Sequence, residues 1–113
     1  MLKRPALNHF ATIRCFHLKE NKEDAFVTAW KAVSDLYYRY AGSFGSRLHR
    51  INERKFCVYT LWPNADAFNR AESCLPVAAL ALQAKLNACC SKVESEMEMG
   101  VMIDQIHLNT YRL

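Results

Sequence analysis

The chain has 113 residues, 51% hydrophobic and 23% charged, which is the length and composition of one soluble globular domain and too little for two. So short a chain buries only about two thirds of the surface its unfolded form exposes, so an aromatic content of 12% calls for further burial against a second copy or around a ligand. The net charge of +4 is uneven, with 11 basic and 5 acidic groups in residues 1–62 against 4 and 6 in residues 63–113; this favours an anionic small ligand and falls short of a nucleic-acid footprint.

Residues 9–17, rich in aromatic and branched side chains, read as a first strand. Asn21 and Asp24 stand at capping-box spacing, and Phe26, Ala29, Trp30, Val33, Tyr37 and Tyr40 recur at helical intervals up to Gly42, which predicts a helix over 22–41. Residues 43–51 and 55–62 are strand-like and are separated by the polar hairpin loop Asn52-Glu53-Arg54. Pro63 stops the second of these strands. Asn64 caps a short helix bearing Ala67, Phe68 and Ala71, and Pro76 opens a longer helix over 76–92 with two apolar stripes. The acidic residues Glu94, Glu96 and Glu98 read as a solvated edge, followed by a last strand over 99–108.

The five cysteines, Cys15, Cys57, Cys74, Cys89 and Cys90, are odd in number, lack CxxC spacing and sit mostly in apolar runs. They are expected to be small buried hydrophobes of a reduced, cytoplasmic protein. Behind the basic Lys3-Arg4 pair there is no apolar signal core, and no run approaches the roughly 20 apolar residues of a membrane span. His9 and His17 share a strand face without a third ligand, so no metal site is expected. Phosphate loops, serine elbows and paired Glu/His helix motifs are absent from the sequence.

The helices of residues 22–41 and 76–92 and the four strands give a β-α-β-β-α-β order, which is an α+β, ferredoxin-like arrangement: one domain over 1–113, its core about 9–108, with a four-stranded antiparallel sheet and helices on one face. Its strands are apolar on both parities. Phe56, Val58, Thr60 and Trp62 alternate with Cys57, Tyr59 and Leu61, and Phe10, Thr12 and Phe16 alternate with Ala11, Ile13 and Cys15. A half-solvated antiparallel sheet shows a polar side, so the helix-free face is expected to meet a second copy.

Three segments carry a family resemblance: Phe26-x-x-x-Trp30; Ala41-Gly-Ser-Phe-Gly-Ser-Arg-Leu-His-Arg50; and Tyr59-Thr-Leu-Trp-Pro-Asn-Ala-Asp-Ala-Phe68. Together they resemble the antibiotic biosynthesis monooxygenase (ABM) domain of the dimeric α/β-barrel superfamily, over roughly residues 10–72. The resemblance implies that two sheets close into a barrel in a homodimer and that each monomer holds a pocket between sheet and helices. Some members of the family are cofactor-free monooxygenases that convert polycyclic phenols to quinones, and others degrade haem. The Asn, Trp and His of the haem-degrading pattern fall here at Ile13 or Arg14, at Ala71 and near Ala81, so haem degradation is not expected and no cofactor is implied.

The resemblance thus implies a cofactor-independent monooxygenase or a related enzyme acting on a small aromatic or otherwise apolar compound. The rival is a non-catalytic ligand-binding or structural dimer, since no catalytic set transfers residue by residue. Trp30, Tyr37, Tyr59 and Trp62 are the candidate pocket walls, each also explicable as core. Arg14 and His49 are the candidate polar groups that would hold a phenolate. His49 shares its strand parity with Arg47, which fits a solvent or interface face equally well. Arg14 is the unusual residue, because a guanidinium within an apolar strand needs a carboxylate or an anionic ligand, and Asp104 is its expected partner.

Overall fold

The computed structural model describes residues 8–106. In chain order it contains β1 (Phe10–Leu18), α1 (Glu23–Tyr40), β2 (Gly45–Arg50), β3 (Lys55–Trp62), α2 (Ala65–Cys74), α3 (Ala79–Ala88) and β4 (Cys90–Gly100). The four strands form one antiparallel sheet in the order β2-β3-β1-β4, the ferredoxin-like arrangement with an extra helix before the last strand.

Local chemistry explains the boundaries. Gly42, at φ +82°, takes the left-handed conformation that closes a helix and that a side chain would disfavour. The β2–β3 turn is held by Asn52, whose Oδ1 accepts from the backbone N–H groups of Arg54 and Lys55 at 3.0 Å each. Asn64 caps α2 by accepting from the Ala67 N–H at 2.8 Å. At the start of α1, by contrast, the N-cap is Lys22 and makes no side-chain cap bond; Asn21 instead occupies the left-handed region at φ 59°, which asparagine tolerates.

The C-terminal part corrects the sequence reading. The helix of residues 76–92 is shorter, Ala79–Ala88, because Pro76 and Val77 form a turn ahead of it, with the Ala79 N–H bonded to the Pro76 carbonyl at 2.9 Å. The last strand is Cys90–Gly100 rather than 99–108. Glu94, Glu96 and Glu98 therefore lie within a strand. Pairing along the whole of β1 fixes this segment, and as an edge strand it keeps most of its side chains exposed, so it lacks an apolar signature. Residues 107–108 of the expected strand lie outside the described residues.

The core lies between the sheet and the helices. Phe26 of α1 is fully buried and packs between Phe16 and Phe56, with ring centroids at 5.2 and 5.8 Å, joined by Leu18, Val58, Leu86, Cys89 and Cys90. A second cluster forms around Trp62, which meets Phe68 at 5.6 Å and Tyr37 at 6.0 Å, both edge to face. Between the two clusters the layers part and leave a cavity.

The cysteines also depart from expectation. Cys15 and Cys57 are directly opposed on β1 and β3, with Cα atoms 4.2 Å apart, and form a disulfide on the helix-free face. Their apolar setting concealed a cross-strand bridge. Cys74, Cys89 and Cys90 are free. Cys89 ends α3 and Cys90 begins β4; burial, with Cys89 adjacent, pushes the Cys90 thiol up to about 11, as expected of an inert packing cysteine.

Candidate functional site

The cavity has a volume of about 530 Å³, within the range of small-molecule sites. Its floor is the helix-facing side of the sheet: Thr12 and Arg14 of β1, Ser46 of β2, Thr60 and Trp62 of β3, and Ser95 and Glu98 of β4. All three helices supply its roof, with Trp30 and Tyr37 from α1, Phe68 and Glu72 from α2, and Gln83 from α3.

Arg14 is the cation among the described residues that line it. It sits on an inner strand, opposite Val58 on one side and Ser95 on the other, on the face the helices cover. It is nonetheless exposed, because the space above it is the cavity and not packed side chains. Among the described residues it forms no ion pair. The expected partner Asp104 lies beyond β4 and instead accepts from the Ile106 N–H at 2.9 Å.

The helix end of the cavity is a closed polar network. The Tyr37 hydroxyl donates to the Glu72 carboxylate, while Gln83 Nε2 donates to Tyr37 Oη at 3.2 Å and to Glu72 Oε1 at 3.1 Å. Burial, reinforced by the bond to Glu72 and only partly opposed by Gln83 and Arg14, pushes the Tyr37 phenol up to about 12. It is therefore a neutral wall group at physiological pH and not a base. On the floor, Trp62 Nε1 donates to Thr12 Oγ1 at 3.3 Å, and the hydroxyls of Ser46 and Thr60 bond at 2.8 Å.

The sequence-derived candidates divide by strand parity. Trp30, Tyr37, Trp62 and Arg14 come together at the cavity. Tyr59 and His49 do not: the β2–β3 register pairs Arg47 with Tyr59 and His49 with Cys57, which places them on the helix-free face beside the disulfide. Glu72, Gln83 and Glu98 escaped sequence reading. The first two come from separate helices and converge only in the fold; the third was assigned to a solvated edge. Among the described residues no group of three His, Cys, Asp or Glu side chains is placed to hold a metal ion.

No protein-family model and no curated protein matches the chain. Its fold has clear counterparts among solved structures. A point variant of SnoaB, a cofactor-independent oxygenase from Streptomyces nogalater, superposes with a TM-score of 0.71 at 16% identity, over 87% of this chain and 97% of that one. An ABM-type protein from Nitrosomonas europaea gives 0.72 at 13% identity, over 88% and 96%. One from Bordetella bronchiseptica gives 0.70 at 14% identity, over 86% and 100%. This chain thus has the fold of the antibiotic biosynthesis monooxygenase structures, across most of its length.

Proposed function

We propose that the chain is a cofactor-independent oxygenase that binds a planar phenolic compound in the cavity and converts it to a quinone. The observation that carries this reading is Arg14, a cation without a protein partner among the described residues, rising from the middle of the sheet into an aromatic-walled space. A phenolate satisfies both needs. Its oxygen pairs with the guanidinium, and its ring fits between Trp30, Trp62 and Phe68. The likeness in fold to SnoaB supports the same chemistry.

The reaction balances with dioxygen as the oxidant. Arg14 favours the ionised phenol, whose ring carbon becomes electron-rich and passes an electron to oxygen. Recombination forms a carbon–oxygen bond, and loss of the ring hydrogen with cleavage of the O–O bond releases water. One oxygen atom enters the quinone and the other leaves as water, with four electrons passing from ring to dioxygen. The protein's share is to hold the anion and orient the ring.

A second reading is supported by the closed Tyr37–Glu72–Gln83 network, whose groups are satisfied by one another: the cavity would hold an anionic aromatic without turning it over. Oxygen uptake measured with a panel of hydroxylated naphthalenes and anthracenes separates the two. Uptake above the protein-free rate with appearance of quinone absorbance supports the oxygenase, and binding without uptake supports the carrier.

We further propose that the helix-free face packs on a second copy. Ile13, Tyr59, Leu61, Met97 and Met99 stand on it, with Met97 54% exposed, and so much apolar surface on an open antiparallel sheet is unusual in a monomer. Light scattering at micromolar concentration is expected to give twice the 13.0 kDa chain mass; a monomer would refute it.

A further inference from the structure

The β4 strand carries an irregularity that alters the cavity. Opposite β1, Ser95 pairs with Arg14, Met97 with Ile13 and Glu98 with Thr12, so the register shifts between Ile13 and Arg14 and Glu96 is left as the extra residue of a bulge. In a regular strand Glu94, Glu96 and Glu98 would share one face, since side chains alternate with period two. The bulge reverses parity after Ser95. Glu94 stays on the helix-free face, bonded to His17 Nε2 at 2.8 Å, whereas Glu98 turns to the cavity. Met97, which would otherwise stand beside Thr12, pairs with Ile13 instead and borders the cavity from the neighbouring register position. Bulges are a recurrent means of re-aiming a side chain next to a site.

Resting on the phenol-binding reading above, we propose that Glu98 is a specificity-determining residue that selects aromatics bearing a second hydroxyl. The cavity then has two poles on neighbouring strands. Arg14 receives the ionised oxygen, and Glu98 accepts a hydrogen bond from a hydroxyl on a distal ring position. Among the described residues Glu98 lines the cavity and forms no ion pair, with Arg14 or with any other cation, so its carboxylate is left to accept from a ligand. Its place on the exposed edge strand, away from the central strand that carries Arg14, suits a group that tests the ligand's distal end.

The test is calorimetric titration of 1,5-dihydroxynaphthalene and of its monomethyl ether, which lacks the second donor, into the full chain and two variants. A hydrogen bond to a charged acceptor predicts that the wild type prefers the diol by at least about ten-fold. Glu98→Met, similar in length and without an acceptor, is expected to bring the ratio to about one, and Glu98→Gln to fall between. Glu98 is exposed, so both variants are expected to keep the wild-type circular dichroism spectrum. A wild type without preference, or a preference that survives Glu98→Met, overturns the role of Glu98 alone. Failure of both compounds to bind the wild type overturns the phenol-binding reading together with it.

Discussion

Tyr37 and Glu72 join α1 to α2 above the cavity through a phenol-to-carboxylate hydrogen bond. Few other polar contacts secure α2, which otherwise rests on the packing of Phe68 and Ala71 against Trp62. Tyr37→Phe removes the bond and keeps the ring against Trp62. The expected cost is about 1 kcal/mol, because the pair is partly open to water, which is a fall in Tm of roughly 4–8 °C. The Tyr37 phenol is raised to about 12 from 10.0, so the unfolded state loses its proton first as pH rises. The stability due to this residue is therefore whole below pH 10 and is lost between about 10 and 12. Urea midpoints across that window are expected to show the difference between wild type and Y37F closing, and a constant difference would contradict the assignment.

Phe26 is the centre of the main core, with no exposed surface. Phe26→Ala is expected to cost about 3–5 kcal/mol, a large share of the stability of a domain this size. Denaturant titration checks it, and a cost below about 1 kcal/mol would mean that the three-ring stack of Phe16, Phe26 and Phe56 is not formed.

The Cys15–Cys57 bridge closes a segment with a sequence separation of 42. By chain-entropy reasoning it contributes about 4 kcal/mol. Alkylation of unfolded, unreduced protein is expected to label three of the five cysteines, and a reductant is expected to lower the urea midpoint. Five labelled cysteines without reductant would refute the bridge.

At acid pH two surface carboxylates matter. Glu94 is held below its usual value by its bonds to His17 and Lys92, and Glu23 by its bond to Arg50. Because the folded state depresses both, their contribution is present above the ordinary carboxylate range near pH 4.5 and is lost as pH falls through the lowered folded values. A Glu23→Gln, Glu94→Gln double variant is expected to lose less stability than the wild type between pH 5 and 3. Parallel curves would show that neither pair forms in solution.

Much of this architecture is legible in residue order. The spacing of Phe26, Ala29 and Val33 marks α1, Asn64 marks the start of α2, and the Asn52 loop fixes the β2–β3 hairpin. The parity of the sheet is not legible. Tyr59 and Trp62 are both aromatic on one strand, and because both faces are apolar, composition cannot tell which of them meets the helices. Pairing with β1 settles it, placing Trp62 in the cavity and Tyr59 with the disulfide. The same pairing is needed to see Cys15 opposite Cys57. Glu98 is more hidden still, since its direction depends on one extra residue in β4, and the alternating Glu-Ser-Glu-Met-Glu-Met run reads as a solvated edge until β1 is laid beside it.

In the proposed reaction dioxygen is reduced at a phenolate held by Arg14. Turnover of a hydroxylated naphthalene under ¹⁸O₂, with the quinone analysed by mass spectrometry, tests it most directly. One labelled oxygen per quinone is expected, with no label from H₂¹⁸O during the reaction and a loss of at least about ten-fold in rate in Arg14→Met. Oxygen uptake no faster than without protein, or a quinone whose new oxygen comes from water, would contradict it.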